Sequence, residues 1–142
     1  MWEGIKVGKD RFHDVVRTAL EKEGWTITAD PYELNVGDVD FEIDLAADML
    51  LAAERQGEKI AVEVKSFIGR SAVSDFHTAL GQCINYQFAL EEVDPERQLY
   101  LAVPDAVYRS FFQRRFIQSV IQRTQLKLFT YDEIQEVIGQ WL

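Results

Sequence analysis

Three side chains in this sequence have the types and spacing for phosphate chemistry: Asp44, Glu63 and Lys65. In-line hydrolysis of a phosphodiester needs a divalent cation on the phosphoryl oxygens, an activated water, and a positive group near the developing charge. Mg²⁺ takes oxygen ligands, usually one or two carboxylates with water and substrate phosphate filling the other positions. Asp44 and Glu63 would supply the carboxylates and the Val64 carbonyl a third oxygen, so Mg²⁺ or Mn²⁺ is the expected cofactor. Lys65 would orient the water or balance charge. A lone Glu-x-Lys is a common tripeptide, and its plain reading is an ion pair on the wet face of a strand. Here an acid stands 19 residues earlier, and Gln82 and Tyr86 follow at i and i+4 on one helix face.

These residues need elements to position them. Lys59–Ser66 alternates Ile60, Val62 and Val64 with Ala61, Glu63 and Lys65, the period-2 pattern of a strand with two unlike faces. Glu63 and Lys65 then point the same way, roughly 6–7 Å apart along the backbone. Val39–Leu45 reads as an earlier strand carrying Asp44, and Met49–Glu54 as a further one. A tight turn at Gln56-Gly57-Glu58 joins the latter to the Glu63 strand as a hairpin. Upstream, Phe12, Val15, Val16, Ala19 and Leu20 mark one apolar stripe of a helix from Asp10 to about Gly24, with Asp10 as its cap. His13 and Glu21 lie at its two ends, Glu21 near enough to the strands to be a further acid. Trp25–Thr28 follows as a strand closed by Asp30-Pro31.

Downstream, Ser71 or Ser74 caps a long helix to about Leu90, with Val73, Phe76, Leu80, Cys83, Ile84 and Phe88 as its core side. Leu99–Val103 carries no charge and fits an interior strand covered on both faces. A helix starting at Pro104 and Asp105 runs through Phe111, Phe116 and Ile121; Leu126–Thr130 is a last strand, and Asp132 caps a terminal helix through Ile138. The order is α-β-β-β-β-α-β-α-β-α. It implies an α/β fold with a mixed central sheet, antiparallel hairpins, a parallel β-α-β crossover and helices on both faces.

The chain of 142 residues suits a single domain, 1–142, with residues 1–9 as a loose N-terminal extension. No apolar run reaches the ~20 residues of a membrane span, and residues 1–6 lack a signal-peptide core. Cys83 is the single cysteine, which excludes an internal disulfide and a cysteine-based zinc site and fits a reducing, cytoplasmic setting. It reads as a small buried hydrophobe. The net charge of −9 works against unaided DNA binding, since non-specific affinity comes largely from Lys and Arg displacing counterions. Residues 1–66 hold 8 basic and 15 acidic side chains, residues 67–142 hold 7 and 9. Arg109, Arg114, Arg115, Arg123 and Lys127 form an acid-free stretch, a solvated helix face or a phosphate contact. Trp2, Tyr32 and Trp141 lie outside the helix stripes and are candidate interface anchors.

Ile43-Asp44-Leu45, Val62-Glu63-Val64-Lys65 and Gln82-x-x-x-Tyr86 together resemble the PD-(D/E)XK nuclease superfamily and its RecB-like branch. More closely, Phe12-His13, Thr18–Lys22, Gly24–Thr28, Phe76–Gln82 and Leu99–Pro104 are similar to the XisH family, over nearly the whole chain from about Asp10. The resemblance implies a restriction-endonuclease-like three-layer core. It implies Asp44 and Glu63 as metal ligands, Lys65 as the catalytic lysine, Gln82 with Tyr86 as an auxiliary pair and Glu21 as a further acid. Ile43 stands where the superfamily name has proline. The family is known as a controlling factor for excision of the fdxN element in cyanobacteria, beside a recombinase and a small partner, XisI. Two functions therefore compete: a metal-dependent, nuclease-like DNA-processing factor, and a non-catalytic regulatory subunit acting through a XisI-like partner. A metal-free scaffold with a simple Glu63–Lys65 ion pair is a third reading, and a homo-oligomer is left open.

Overall fold

The computed structural model describes residues 8–49 and 57–142. Helix α1 (Gly8–Lys22) buries Phe12, Val15, Val16, Ala19 and Leu20, the stripe that helical spacing requires. Gly24, at φ +96°, turns the chain out of the helix, a backbone conformation open to glycine at no steric cost. Among the described residues, eight strands follow in two sheets. The main sheet has the order β1-β4-β5-β6-β7-β8. Its members are β1 (Thr26–Ala29), β4 (Leu45–Met49), β5 (Glu58–Val64), β6 (Gln98–Pro104), β7 (Leu128–Asp132) and β8 (Val137–Trp141). Strands β5, β6 and β7 run parallel; the outer pairs β1–β4, β4–β5 and β7–β8 are antiparallel.

Two crossovers join the parallel strands: α2 (Ala72–Val93), and then α3 (Asp105–Arg109), a 3₁₀ turn and α4 (Arg115–Thr124). Both pack on one face of the sheet, where Phe76, Cys83 and Leu90 of α2 and Ile117 of α4 meet Ala61, Leu99 and Leu101. On the other face α1 covers Leu45, Ile60, Val62, Val64 and Phe129. The alternation along β5 thus sends Ile60, Val62 and Val64 toward α1, and Ala61 and Glu63 toward α2. The architecture is the mixed α/β sheet with helices on both faces that the sequence predicts.

Several local expectations are corrected. The strand expected over Val39–Leu45 breaks at Asp44. Its first half is β3 (Val39–Ile43), paired with a strand the sequence reading omits, β2 (Tyr32–Val36), in a separate two-stranded sheet. Gly37, at φ +64°, makes the turn between them. The last residue of the expected strand, Leu45, begins β4, the hairpin partner of β5. The expected strand Met49–Glu54 beyond Met49, and Gln56 of the turn, lie outside the described residues, as does Trp2. Of the supposed extension 1–9, residues 8 and 9 belong to α1, so Asp10 lies inside the helix and does not cap it.

The helix expected from Pro104 to Ile121 is broken, because Ser110 and Arg114 leave helical geometry on either side of Phe111–Gln113. The terminal helix is strand β8: Asp132 ends β7 and its Oδ1 accepts from the backbone of Ile134 and Gln135, an Asx turn that reverses the chain. On α2, Ser71 caps the start as expected, its Oγ accepting from Ser74 N at 3.1 Å. The buried face is Phe76, Ala79, Cys83, Tyr86 and Leu90, while Val73 and Phe88 remain 43% and 61% exposed.

Candidate functional site

The break at Asp44 is what builds the site. Here the chain leaves the β2–β3 hairpin and enters the main sheet, and Asp44 faces the carboxyl end of β5 from the neighbouring strand. Asp44 Oδ2 accepts from the backbone N–H of Val64 at 2.8 Å, and Glu63 Oε1 accepts from the backbone N–H of Asp44 at 3.3 Å. Each of the two acids is thus tied to the backbone that carries the other. Glu63 is 5% exposed, and Lys65 Nζ lies 3.8 Å from its Oε2. A carboxylate at that depth needs such partners, since an uncompensated buried charge is costly.

The Val64 carbonyl shares this edge. Lys65 N–H donates to Ala102 O of β6 at 3.0 Å, and in a trans peptide the preceding carbonyl points the opposite way. The Val64 oxygen is therefore directed to the Asp44 side. Lys65 itself is held at both ends of its backbone, because its own carbonyl accepts from the Tyr131 hydroxyl at 3.1 Å.

Helix α2 closes the site from above. Tyr86 lies close enough to feel the cluster: burial first, then the Glu63 and Asp44 charges, push its hydroxyl up to about 12, so it stays protonated and can donate. Phe41 packs edge-on against its ring at 6.1 Å. Gln82 Oε1 is buried and has no hydrogen-bond partner among the described residues. Cys83 is fully buried, as expected, and its thiol is also pushed up to about 12, by burial and then by Glu63. The sequence reading missed Cys83 as a neighbour of the acids. Its place three residues before Tyr86, on the same helix face, is the signal that could have found it. Tyr131 was missed too, and no local pattern announces it.

Asp44, Glu63 and Lys65 thus stand together, with Tyr86 within reach of both acid charges and Gln82 one turn before it on α2. Glu21 does not join them. It is exposed at the far end of α1, nine residues beyond Phe12, or about 13 Å along the helix, and it is Phe12 that lines a cleft with Lys65. His13 Nε2 and Arg17 Nη1 contact the two oxygens of Asp30, at 2.7 and 2.5 Å. Tyr32 donates to Asp94 at 2.6 Å, and Trp141 packs on Phe129 and Trp25, so both expected interface anchors are engaged within the chain. Arg109, Arg114, Arg115, Arg123 and Lys127 are exposed.

The donor set suits a hard cation better than a soft one. Among the described residues no group of three or more His, Cys, Asp and Glu side chains has metal-binding geometry. Two carboxylates and a main-chain carbonyl leave several positions for water and phosphate, the pattern Mg²⁺ favours.

An α/β domain with a mixed sheet, whose crossover strand β5 ends in Glu63 and Lys65 with Asp44 facing them from the head of β4, is the class of protein these elements define. The XisH protein profile matches residues 7–139, and the chain belongs to the XisH family. The crystal structure of an XisH family protein from Nostoc punctiforme PCC 73102 is 54% identical, with a TM-score of 0.85, covering 94% of this chain and 99% of that one. That of a fdxN element excision controlling factor protein from Anabaena variabilis is 55% identical, with a TM-score of 0.84, covering 93% and 98%. No curated protein matches. No described helix is long and apolar enough to cross a membrane.

Proposed function

We propose that this chain is a nuclease-like DNA-processing factor that controls excision of a DNA element, with a divalent-metal site for phosphodiester hydrolysis. The observation that carries the reading is the reciprocal tie between Asp44 and the Glu63-Val64 backbone, with Lys65 3.8 Å from Glu63. Asp44, Glu63 and the Val64 carbonyl would hold Mg²⁺ or Mn²⁺, which when bound supplies Lewis-acid charge and acidifies water. Lys65 holds a positive charge beside the acids, against which a phosphate oxygen or an attacking water can rest. Tyr86 offers a hydroxyl donor, and Gln82 Oε1 an acceptor for an ordered water. The role in excision follows the Anabaena variabilis relative, 55% identical over almost its full length. The factor would act in the cytoplasm, on DNA, with a XisI-like partner or as a homo-oligomer.

One observation favours the second reading, a regulatory subunit without turnover. From Glu23 to Glu54 the chain has nine acidic side chains and no Lys or Arg, a charge equal to the whole net −9. This run includes the β2–β3 hairpin beside the site, where it repels phosphate. A protein partner with positive surface would offset it.

Cleavage assays on single-stranded, duplex and branched DNA and on RNA, with Mg²⁺ or Mn²⁺, separate the two. Metal-dependent cutting lost in Asp44→Ala and Lys65→Ala supports the first reading. No cutting of any form, with a stable partner complex indifferent to Lys65→Ala, supports the second.

A further inference from the structure

A cleft of about 280 Å³ opens directly beside Lys65, lined also by Phe12, Val64, Ser66, Phe67, Ile68, Gly69, Asp75 and Thr78. It lies past the carboxyl end of β5, where open α/β sheets bind ligands. Its wall is the loop that follows Lys65, and that loop is pinned at two points. Phe67 sits at φ +56°, a conformation a bulky residue keeps only where its surroundings hold it. Its ring is held edge-on to Phe112 at 5.4 Å and against Phe111 at 6.3 Å. Gly69 N–H donates to Asp75 Oδ2 at 3.1 Å, and a Cβ at Gly69 would stand 2.6 Å from Asp75 Oδ1, so a larger residue there would displace the Asp75 carboxylate.

Between these two anchors Ile68 is 63% exposed. A β-branched apolar side chain is thus presented to solvent at the rim of the cleft by a braced loop, with no packing role of its own.

The charges of the cleft sort its occupants. Lys65 attracts a phosphate at one wall. Asp75 repels a second phosphate at the other but accepts from an amino group, as carboxylates do from cytosine N4. A slot of mixed lining, with the rings of Phe12 and Phe67 beside hydroxyls at Ser66 and Thr78, fits a planar heterocycle better than a backbone segment. A base within a continuous duplex cannot enter it without leaving the stack.

We propose that this cleft receives one unpaired nucleobase of the strand whose phosphate lies at Lys65, with Ile68 the apolar wedge that keeps the base out of its stack. The inference rests on the nucleic-acid reading above and specifies its substrate form: single-stranded or locally unpaired nucleic acid, with amino-bearing bases preferred.

The test is titration of the full-length protein, in Ca²⁺ to prevent turnover, into oligonucleotides carrying 2-aminopurine in a single strand, a bulge or a continuous duplex. The unpaired probes are expected to bind more tightly and to change fluorescence on binding. Ile68→Ala is expected to weaken their binding on the order of tenfold, the scale of one lost base contact, without altering duplex affinity. Cytosine strands should bind more tightly than thymine strands, with Asp75→Asn, which keeps an oxygen to accept from Gly69 N–H, erasing the difference. Because Ile68 is exposed, its variant tests the wedge without endangering the fold. Equal binding of duplex and single strand, indifferent to Ile68→Ala, would overturn the base slot and leave the nucleic-acid reading standing. Failure to bind any nucleic acid would overturn both.

Discussion

The hydroxyl of Tyr131 donates to the carbonyl of Lys65 at 3.1 Å, across 66 residues of chain and two strands of the sheet. With Lys65 N–H bonded to Ala102 O, the lysine backbone is fixed from both sides. Burial holds the Tyr131 phenol well above the ordinary tyrosine range, so it remains a donor. Tyr131→Phe keeps the packed ring and strands the carbonyl. Urea unfolding is expected to show a loss of about 1 kcal/mol at unchanged m-value. Hydrogen exchange is expected to quicken in the 65–69 loop. A variant as stable and protected as the parent contradicts the tie.

Gln82 is expected to behave in the opposite sense. Its Oε1 is buried without a partner among the described residues, and such a group costs stability. Gln82→Met, close in volume, should leave the fold unchanged or raise stability by up to about 1 kcal/mol in metal-free buffer, while any metal-dependent activity falls. Stability bought at the expense of function is the mark of a site residue. Loss on both measurements would make Gln82 structural.

How much of this was legible in the sequence depends on whether the signal is local. The α1 stripe, the Ser71 cap, the uncharged β6 and the alternation around Glu63 are local patterns, and each forms as expected. The failures come where tertiary contacts decide. Tyr32–Val36 alternates well enough to be a strand, but its five residues were hidden behind the Asp30-Pro31 turn signal. Ile134, Val137 and Ile138 suggest a helix, yet β7 has an open edge that β8 fills, and Asp132 spends its oxygen on the turn between them. In the site, Asp44, Glu63 and Lys65 were visible as types on strands. The mutual hydrogen bonds and the Tyr131 tie were not, because they join backbone atoms that carry no sequence signal.

The end strand gives a direct check. A Cβ at Gly139 would stand 2.5 Å from both Asp105 Oδ1 and Thr130 Oγ1, and Thr130 Oγ1 already accepts from Gln140 N. Gly139→Ala is expected to cost about 1–3 kcal/mol by overpacking, measured by thermal or urea unfolding. A neutral result would argue against β8 lying on β7 in this register.

At the opposite end of the sheet, Arg97 is nearly buried and bonds Asp48 at 2.8 Å, Asp94 at 2.9 Å and the Ile60 carbonyl at 3.0 Å. Burial works to raise the Asp94 carboxyl, but the Tyr32 and Arg97 hydrogen bonds and the Arg97 charge outweigh it and hold it below the ordinary value. A carboxyl lowered by folding adds stability that is present above its unfolded value, near 3.8, and is lost as pH falls through its folded value. Asp94→Asn is expected to flatten the acid limb of the stability–pH curve and lower the plateau at neutral pH. An acid limb as steep as the parent's would mean that other carboxylates set it.

Calorimetric titration of Mn²⁺ into the metal-free protein reads out whether Asp44 and Glu63 together hold a divalent cation, as proposed. Saturable binding is expected, raising the melting temperature by mass action and abolished in both Asp44→Asn and Glu63→Gln, each still folded. No binding to the parent protein, or equal binding to the two variants, would contradict the proposal.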